Sequence, residues 1–380
     1  MLTDNQLNAL TYPIIQIYNE IEYKLLAQIA ARFDVYDKVG GSLEWQAKKL
    51  EELGALTADA IKLIAKQTNK TEKEIVEMLE KASVGNIKLS DLNKAYSYGM
   101  VYVDPVAIMA SQPFRATIEL SYKELGQTYK LIQTKALESV KQSYMDIVNR
   151  AYLETASGVF DYGSSIRGAL RDLADKGITG ATYRRPNGKV VKYSIESAIR
   201  RDTLTAVNQL ANRGAEKMTK EIGADYVEVS AHIGARVSDK NPIANHAGWQ
   251  GKVYKLVGSD DDYPNLEEST GYPNDIQGLG GVNCRHRIFP FFPGISVPNP
   301  HQIDEEENRK VYEATQKQRA MERNIRAIKK RLIVAKASGD MNTAKEYRKK
   351  LTQKQAEIEQ FCKDNGLRRQ TEREMVQEEY

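Results

Sequence analysis

Apolar residues recur at three- and four-residue steps through the first part of the chain. Ile14, Ile17, Ile21, Leu25 and Ile29 share one helical stripe, and Pro13 is placed to open that helix. Such a stripe needs a partner to cover it. Leu50-Glu51-Glu52-Leu53 runs into Gly54, and Thr71 with Glu74 has capping-box spacing ahead of Ile75, Val76, Met78 and Leu79, so short helices are expected over 42–82. Ile118, Tyr122, Leu125, Tyr129, Ile132, Ala136 and Val140 keep a 4-3 rhythm for about three heptads. That rhythm predicts one long helix laid along another, either within the chain or across a subunit seam.

The pattern then changes. Ile166, Leu170 and Leu173 outline a short helix ended by Gly177, and Asn187-Gly188 sits between two β-prone arms, 183–186 and 189–193, as in a hairpin. Ser194 is placed to cap a helix whose apolar positions Ala198, Val207, Leu210, Ala211, Met218 and Ile222 run to Gly223. From Asp225 to Ile233 the residues alternate, sending Val227, Val229 and Ile233 to one face and Glu228, Ser230 and His232 to the other. The run from Trp249 to Tyr254 reads as another short strand. A glycine-rich loop follows over 271–281, then Cys284-Arg285-His286-Arg287-Ile288-Phe289, and prolines at 290, 293, 298 and 300 mark a linker. Beyond it, Ile325, Ile328 and Leu332 precede a Ser338-Gly339-Asp340 break, with Tyr347, Leu351 and Ile358 after it, which predicts a helical hairpin.

These patterns give an α+β protein in three parts: a helical arm and long-helix region over 1–155, a small mixed β-rich module over 156–298, and a charged helical extension over 299–380. Composition adds constraints. No apolar run approaches the ~18 residues of a membrane span, and the start Met1-Leu2-Thr3-Asp4 lacks a secretory pattern, so a cytosolic product without membrane partners is expected. Two cysteines, Cys284 and Cys362, do not make a disulfide framework. The net charge of +4 lies in the tail, where residues 304–380 carry 19 Lys and Arg against 15 Asp and Glu. Because both signs interleave there, the tail reads as a solvated helical face first and a nucleic-acid surface second.

Three of the four histidines, His232, His246 and His286, lie near one another and near Cys284. With Cys284 they would form a mixed nitrogen and sulfur shell suited to zinc, and Cys284 and His286, two apart on an extended segment, would project to the same side. Equally, these imidazoles could be hydrogen-bonded braces tying loops to the sheet, as buried polar groups must be paired. A hydrolase would use His232 or His246 as a base, with Arg236 or Lys252 stabilising charge, and no activating partner is identifiable by spacing. Cys284 with His286 as a nucleophilic pair would need more than parallel projection. The loop glycines Gly271, Gly278, Gly280 and Gly281 are followed by no Gly-Lys-Ser or Gly-Lys-Thr, so no nucleotide cofactor is expected.

Three ordered motifs carry a resemblance: Val227 through Arg236, His246-Ala247-Gly248-Trp249-Gln250-Gly251-Lys252-Val253-Tyr254, and Gly278 through His286 with Phe291 and Gly294. Over roughly residues 5–300 the chain resembles the phage minor capsid protein 2 family, akin to Mu-F-like head morphogenesis proteins; residues 304–380 fall outside the resemblance. It departs from that pattern at Ala247-Gly248, where a Gln is expected after His246. The resemblance implies a virion component made in a bacterial host, in few copies inside the capsid or at the portal vertex, acting in head assembly or in genome packaging and delivery. Portal protein, other head proteins and packaged DNA are the implied partners. A nucleotide-dependent transferase or hydrolase using a polar cleft around His232 and His286 is the alternative; Glu267-Glu268 is too little to name a catalytic motif, and no turnover is expected. The residues expected to hold the module together are Ser230, His232, Arg236, His246, Trp249, Lys252, Asn283, Cys284 and His286.

Overall fold

A computed structural model describes residues 4–37, 42–83, 110–184, 188–298 and 303–374, with a few isolated positions between 93 and 107. It is an α+β protein dominated by helices, and its described elements follow in order as α1 (Asp4–Ala30), α2 (Leu43–Ser83), α3 (Gln112–Ala156), α4 (Tyr162–Lys176), β1 (Thr179–Arg184), β2 (Val190–Ser194), α5 (Ile195–Glu221), β3 (Tyr226–Val229), α6 (His246–Trp249), β4 (Val253–Lys255), α7 (Leu266–Thr270), β5 (Ile288–Phe291), α8 (Glu305–Ala337) and α9 (Met341–Asp364), with a 3-10 turn at Thr371–Arg373. No helix among the described residues is long and apolar enough to cross a membrane. The chain forms two compact units, one from Met1–Pro13, Lys73–Gln127 and Arg200–Gln316, the other from Ile14–Glu72, Thr128–Ile199 and Lys317–Tyr380.

Among the described residues, the elements of the second unit are helical apart from the β1–β2 hairpin, which pairs antiparallel from Thr179↔Ser194 to Arg184↔Val190. The tip expected at Pro186-Asn187 lies outside the described residues. The α1 stripe is covered as its periodicity requires: Ile14, Ile21, Leu25 and Ile29 are buried, while Ile17 is half-buried. Part of the cover comes from α3, whose Tyr129 meets Tyr18 edge-on at 5.3 Å, and whose Gln133 donates to Tyr18 Oη at 2.8 Å and to Thr68 Oγ1 of α2 at 3.1 Å. From Tyr129 onward, then, the seam of the long helix meets partners in its own chain. In the C-terminal hairpin, Ile325, Ile328 and Leu332 pack with Leu351, Ile358 and Cys362. Gly339 turns the chain at φ +76°, and the Asp340 side chain accepts from Thr343 N at 3.2 Å to start α9.

Two expectations about the helices are corrected. Pro13 lies inside α1, which begins at Asp4; the Thr11 hydroxyl bonds back to the carbonyls of Leu7 and Asn8 in the turn before it. The short helices expected over 42–82 form one 41-residue helix. Gly54 does not end it, because a lone helical glycine costs only ~1 kcal/mol and Leu56, Ala60 and Ile64 beyond it are buried on the same face.

In the first unit, α5 packs on a three-stranded antiparallel sheet of order β4-β3-β5, with Tyr226↔Lys255 and Val229↔Ile288 among its register pairs. Val227 and Val229 are fully buried in a cluster with Trp249, Tyr254, Leu279, Cys284 and Ile288. The alternation predicted to Ile233 stops at Val229. Ile233 is 44% exposed, because the chain leaves the sheet and turns at Gly234 with φ +80°. Trp249 lies on the one-turn helix α6 and not on a strand, since Gly251 at φ +69° reverses the chain before β4 begins.

Candidate functional site

The site forms where the sheet ladder gives out. Ser230, one residue past β3, continues the pairing with its own side chain: its N–H donates to Arg287 O at 2.8 Å, and its hydroxyl accepts from Arg287 N at 3.0 Å. This fixes the approach to β5, residues 284–287, as an extended strip. Cys284 and His286 therefore face one another, with Sγ 3.7 Å from Nδ1. From the helix side, Asn208 and Asn212, one turn apart on α5, hold the same strip. Asn208 donates to the carbonyls of Cys284 and His286, and Asn212 donates to His286 O at 3.3 Å while accepting from Ile288 N at 3.2 Å.

His246 starts α6 and is 2% exposed; His286 is 1% exposed. Nε2 of His246 lies 2.7 Å from the Gln277 carbonyl, which can only accept, so that nitrogen carries the proton. Gln250 plays the matching part for His286. Its Oε1 accepts from His232 N at 3.0 Å, a contact that fixes which end of the amide faces inward, so His286 Nε2, also 3.0 Å away, must be the donor. Each imidazole thus carries a proton on Nε2, and in the neutral form its lone pair lies on Nδ1. Burial pushes His246 down to about 4, and burial together with nearby His232, His246 and Arg236 holds His286 well below the usual histidine range.

The remaining expected residues are placed as follows. The His232 ring stacks on His286 with centroids 4.2 Å apart and planes 27° from parallel. The Trp249 ring packs against both His246 and His286, and its Nε1 donates to Ile243 O at 2.9 Å. Arg236 donates to two carbonyls in and just after the glycine-rich loop, Gln277 at 3.1 Å and Val282 at 2.8 Å. Lys252 is exposed and donates to Gly248 O at 2.7 Å. Asn283 is exposed and takes φ +60°, a left-handed conformation that asparagine tolerates better than most residues, so its contribution is to the turn into Cys284. In the loop itself Gly278 and Gly281 admit no side chain, since an added Cβ would lie 2.2 Å from Thr270 O and 2.4 Å from Ile276 O.

The donor atoms of His246, Cys284 and His286 lie within 4.8 Å of one another; His232 is not in that group. Four amides that hold backbone at and beside the site, Asn208, Asn212, Gln250 and Asn308, are not among the residues expected from the sequence. Asn308 accepts from Gly234 N and Ala235 N and donates back to Ala235 O. The amide expected directly after His246 is absent, and Gln250 provides one four positions later. Arg236 and Lys252 donate to backbone carbonyls, and Glu267 and Glu268 sit exposed on α7.

The sequence pattern described as phage minor capsid protein 2 matches residues 2–363. The chain belongs to the phage minor capsid protein 2 family. That match takes in most of the C-terminal helical hairpin, which the motif resemblance had left out. The chain is 26% identical over 345 residues to a protein named "Structural protein" from Lactococcus phage LL-H, covering 87% of this chain and 88% of that relative. A second "Structural protein", from Lactococcus phage mv4, is 30% identical over 100 residues, 26% of this chain and 81% of the relative. No solved structure matches.

Proposed function

We propose that this member of the minor capsid family is a structural component of the virion that works at the portal vertex, in head assembly or in packaging and delivery of the genome. The observation that carries the reading is family membership over nearly the whole chain, extended by a phage structural protein alignable along 87% of it. The physical character of the molecule agrees. Its polar side chains around His286 are spent on holding backbone, and its long helices leave large apolar residues such as Leu131 and Leu153 more than half exposed, a surface suited to neighbours in an assembly. In this reading the segment 156–298 is the braced module, the helical segments 1–155 and 299–380 present assembly surfaces, and portal protein and other head proteins are the partners. Packaged DNA is a further partner through the mixed-charge tail, by contacts that weaken with salt.

The test is a density map of the purified particle computed without imposed icosahedral symmetry. Density for this chain is expected at one vertex, beside the portal. Density at every vertex, or absence of the protein from gradient-purified phage, overturns the assignment.

A further inference from the structure

We propose that His246, Cys284 and His286 bind a divalent metal ion of the zinc type, with the thiol as thiolate and each imidazole as a lone-pair donor. Three buried donors of this kind, drawn within 4.8 Å of one another from α6 and the strip before β5, match the nitrogen and sulfur ligands zinc prefers. The Sγ to Nδ1 distance of 3.7 Å is close to the edge of a tetrahedral site, where bond lengths of about 2.3 Å to sulfur and 2.0 Å to nitrogen put the two ligands roughly 3.5 Å apart.

The second argument is orientation. A metal-bound imidazole almost always donates its other N–H to a carbonyl or carboxylate, which fixes the ring and directs the free lone pair. Both rings here do so already, His246 to Gln277 O and His286 to Gln250 Oε1. Loading displaces water from the hydrated ion, forms two metal–nitrogen bonds and one metal–sulfur bond in its place, and releases one proton, that of the Cys284 thiol, to solvent. The fourth position is assigned to water and not to His232. The His232 ring stacks on His286 with centroids 4.2 Å apart and is not among the converging donors. The ion would tie α6 to the strip before β5 and so stabilise the fold. The portal assignment does not depend on it, since a metal-free chain could still occupy the vertex.

The experiment uses the full chain, expressed with added zinc and purified without chelators. Elemental analysis should find about one zinc per folded chain. Cys284→Ser should lose it, and His232→Ala should keep it. Reconstitution with cobalt(II) should give a thiolate-to-metal charge-transfer band that Cys284→Ser abolishes. Gln250→Leu, which removes the acceptor shared by His286 Nε2 and the His232 backbone N–H, should weaken zinc binding about 10–100-fold in a chelator competition. Folded wild-type protein that carries no zinc and takes up cobalt without a charge-transfer band overturns the proposal. So does zinc lost in His232→Ala, or affinity unchanged in Gln250→Leu. If Cys284→Ser fails to fold, the wild-type cobalt spectrum still decides.

Discussion

The two units differ in the balance of their buried polar side chains. Around the three-stranded sheet most are neutral, Arg287 excepted: Asn208, Asn212, Gln250, His246 and His286 pair mainly with backbone carbonyls and amides. In the helical unit charged ones join neutral ones such as Asn19 and Gln67. Glu22, fully buried on α1, takes the Lys330 ammonium of α8 on one oxygen and the Glu196 backbone N–H on the other, and Glu196 in turn lies 3.2 Å from Arg326. Short strands and loops leave many carbonyls short of ladder partners, and amides that both donate and accept repair that. Helices satisfy their own backbone, so what needs fixing is how they face each other, and charges of opposite sign specify it at a cost in desolvation.

The comparison can be broken most forcefully at Glu22. Glu22→Ala strands the buried Lys330 ammonium and should cost about 3–5 kcal/mol, read as a shift of the denaturant midpoint at unchanged slope. Next is Asn212→Ala, which leaves Ile288 N without its acceptor and should cost about 1–3 kcal/mol in the same assay. An Asn212→Ala loss larger than that of Glu22→Ala would reverse the ranking and make the neutral clamp the stiffer of the two. Smallest is Arg331→Ala, which removes a partly exposed pair with Asp175 at 2.5 Å; a change below about 1 kcal/mol, shrinking further with salt, is expected.

Legibility followed periodicity. Ile21, Leu25 and Ile29, the hairpin residues Ile325, Leu332 and Ile358, and the stops at Gly177 and Gly339 were visible because each obeys a helical repeat or a left-handed turn requirement. Gly54 misled because a helix interior tolerates a single glycine when residues further along, here Leu56, Ala60 and Ile64, are buried. Trp249 misled because a one-turn helix is too short to show a period, and Gly251 hides the reversal. At the site, Cys284, His286 and His246 stood out by residue type. Asn208, Asn212, Gln250 and Asn308 did not, since their partners are mostly main-chain groups with no sequence signature.

Each compact unit is gathered from three separated stretches, and this constrains the order of events on the ribosome. The unit holding the sheet has all its parts once Gln316 has emerged, whereas the helical unit waits for the last stretch, Lys317–Tyr380. A nascent chain halted before Asn308 would leave the amides of Gly234 and Ala235 without their acceptor, so synthesis must run past the β-strands before the loop beside them can lock.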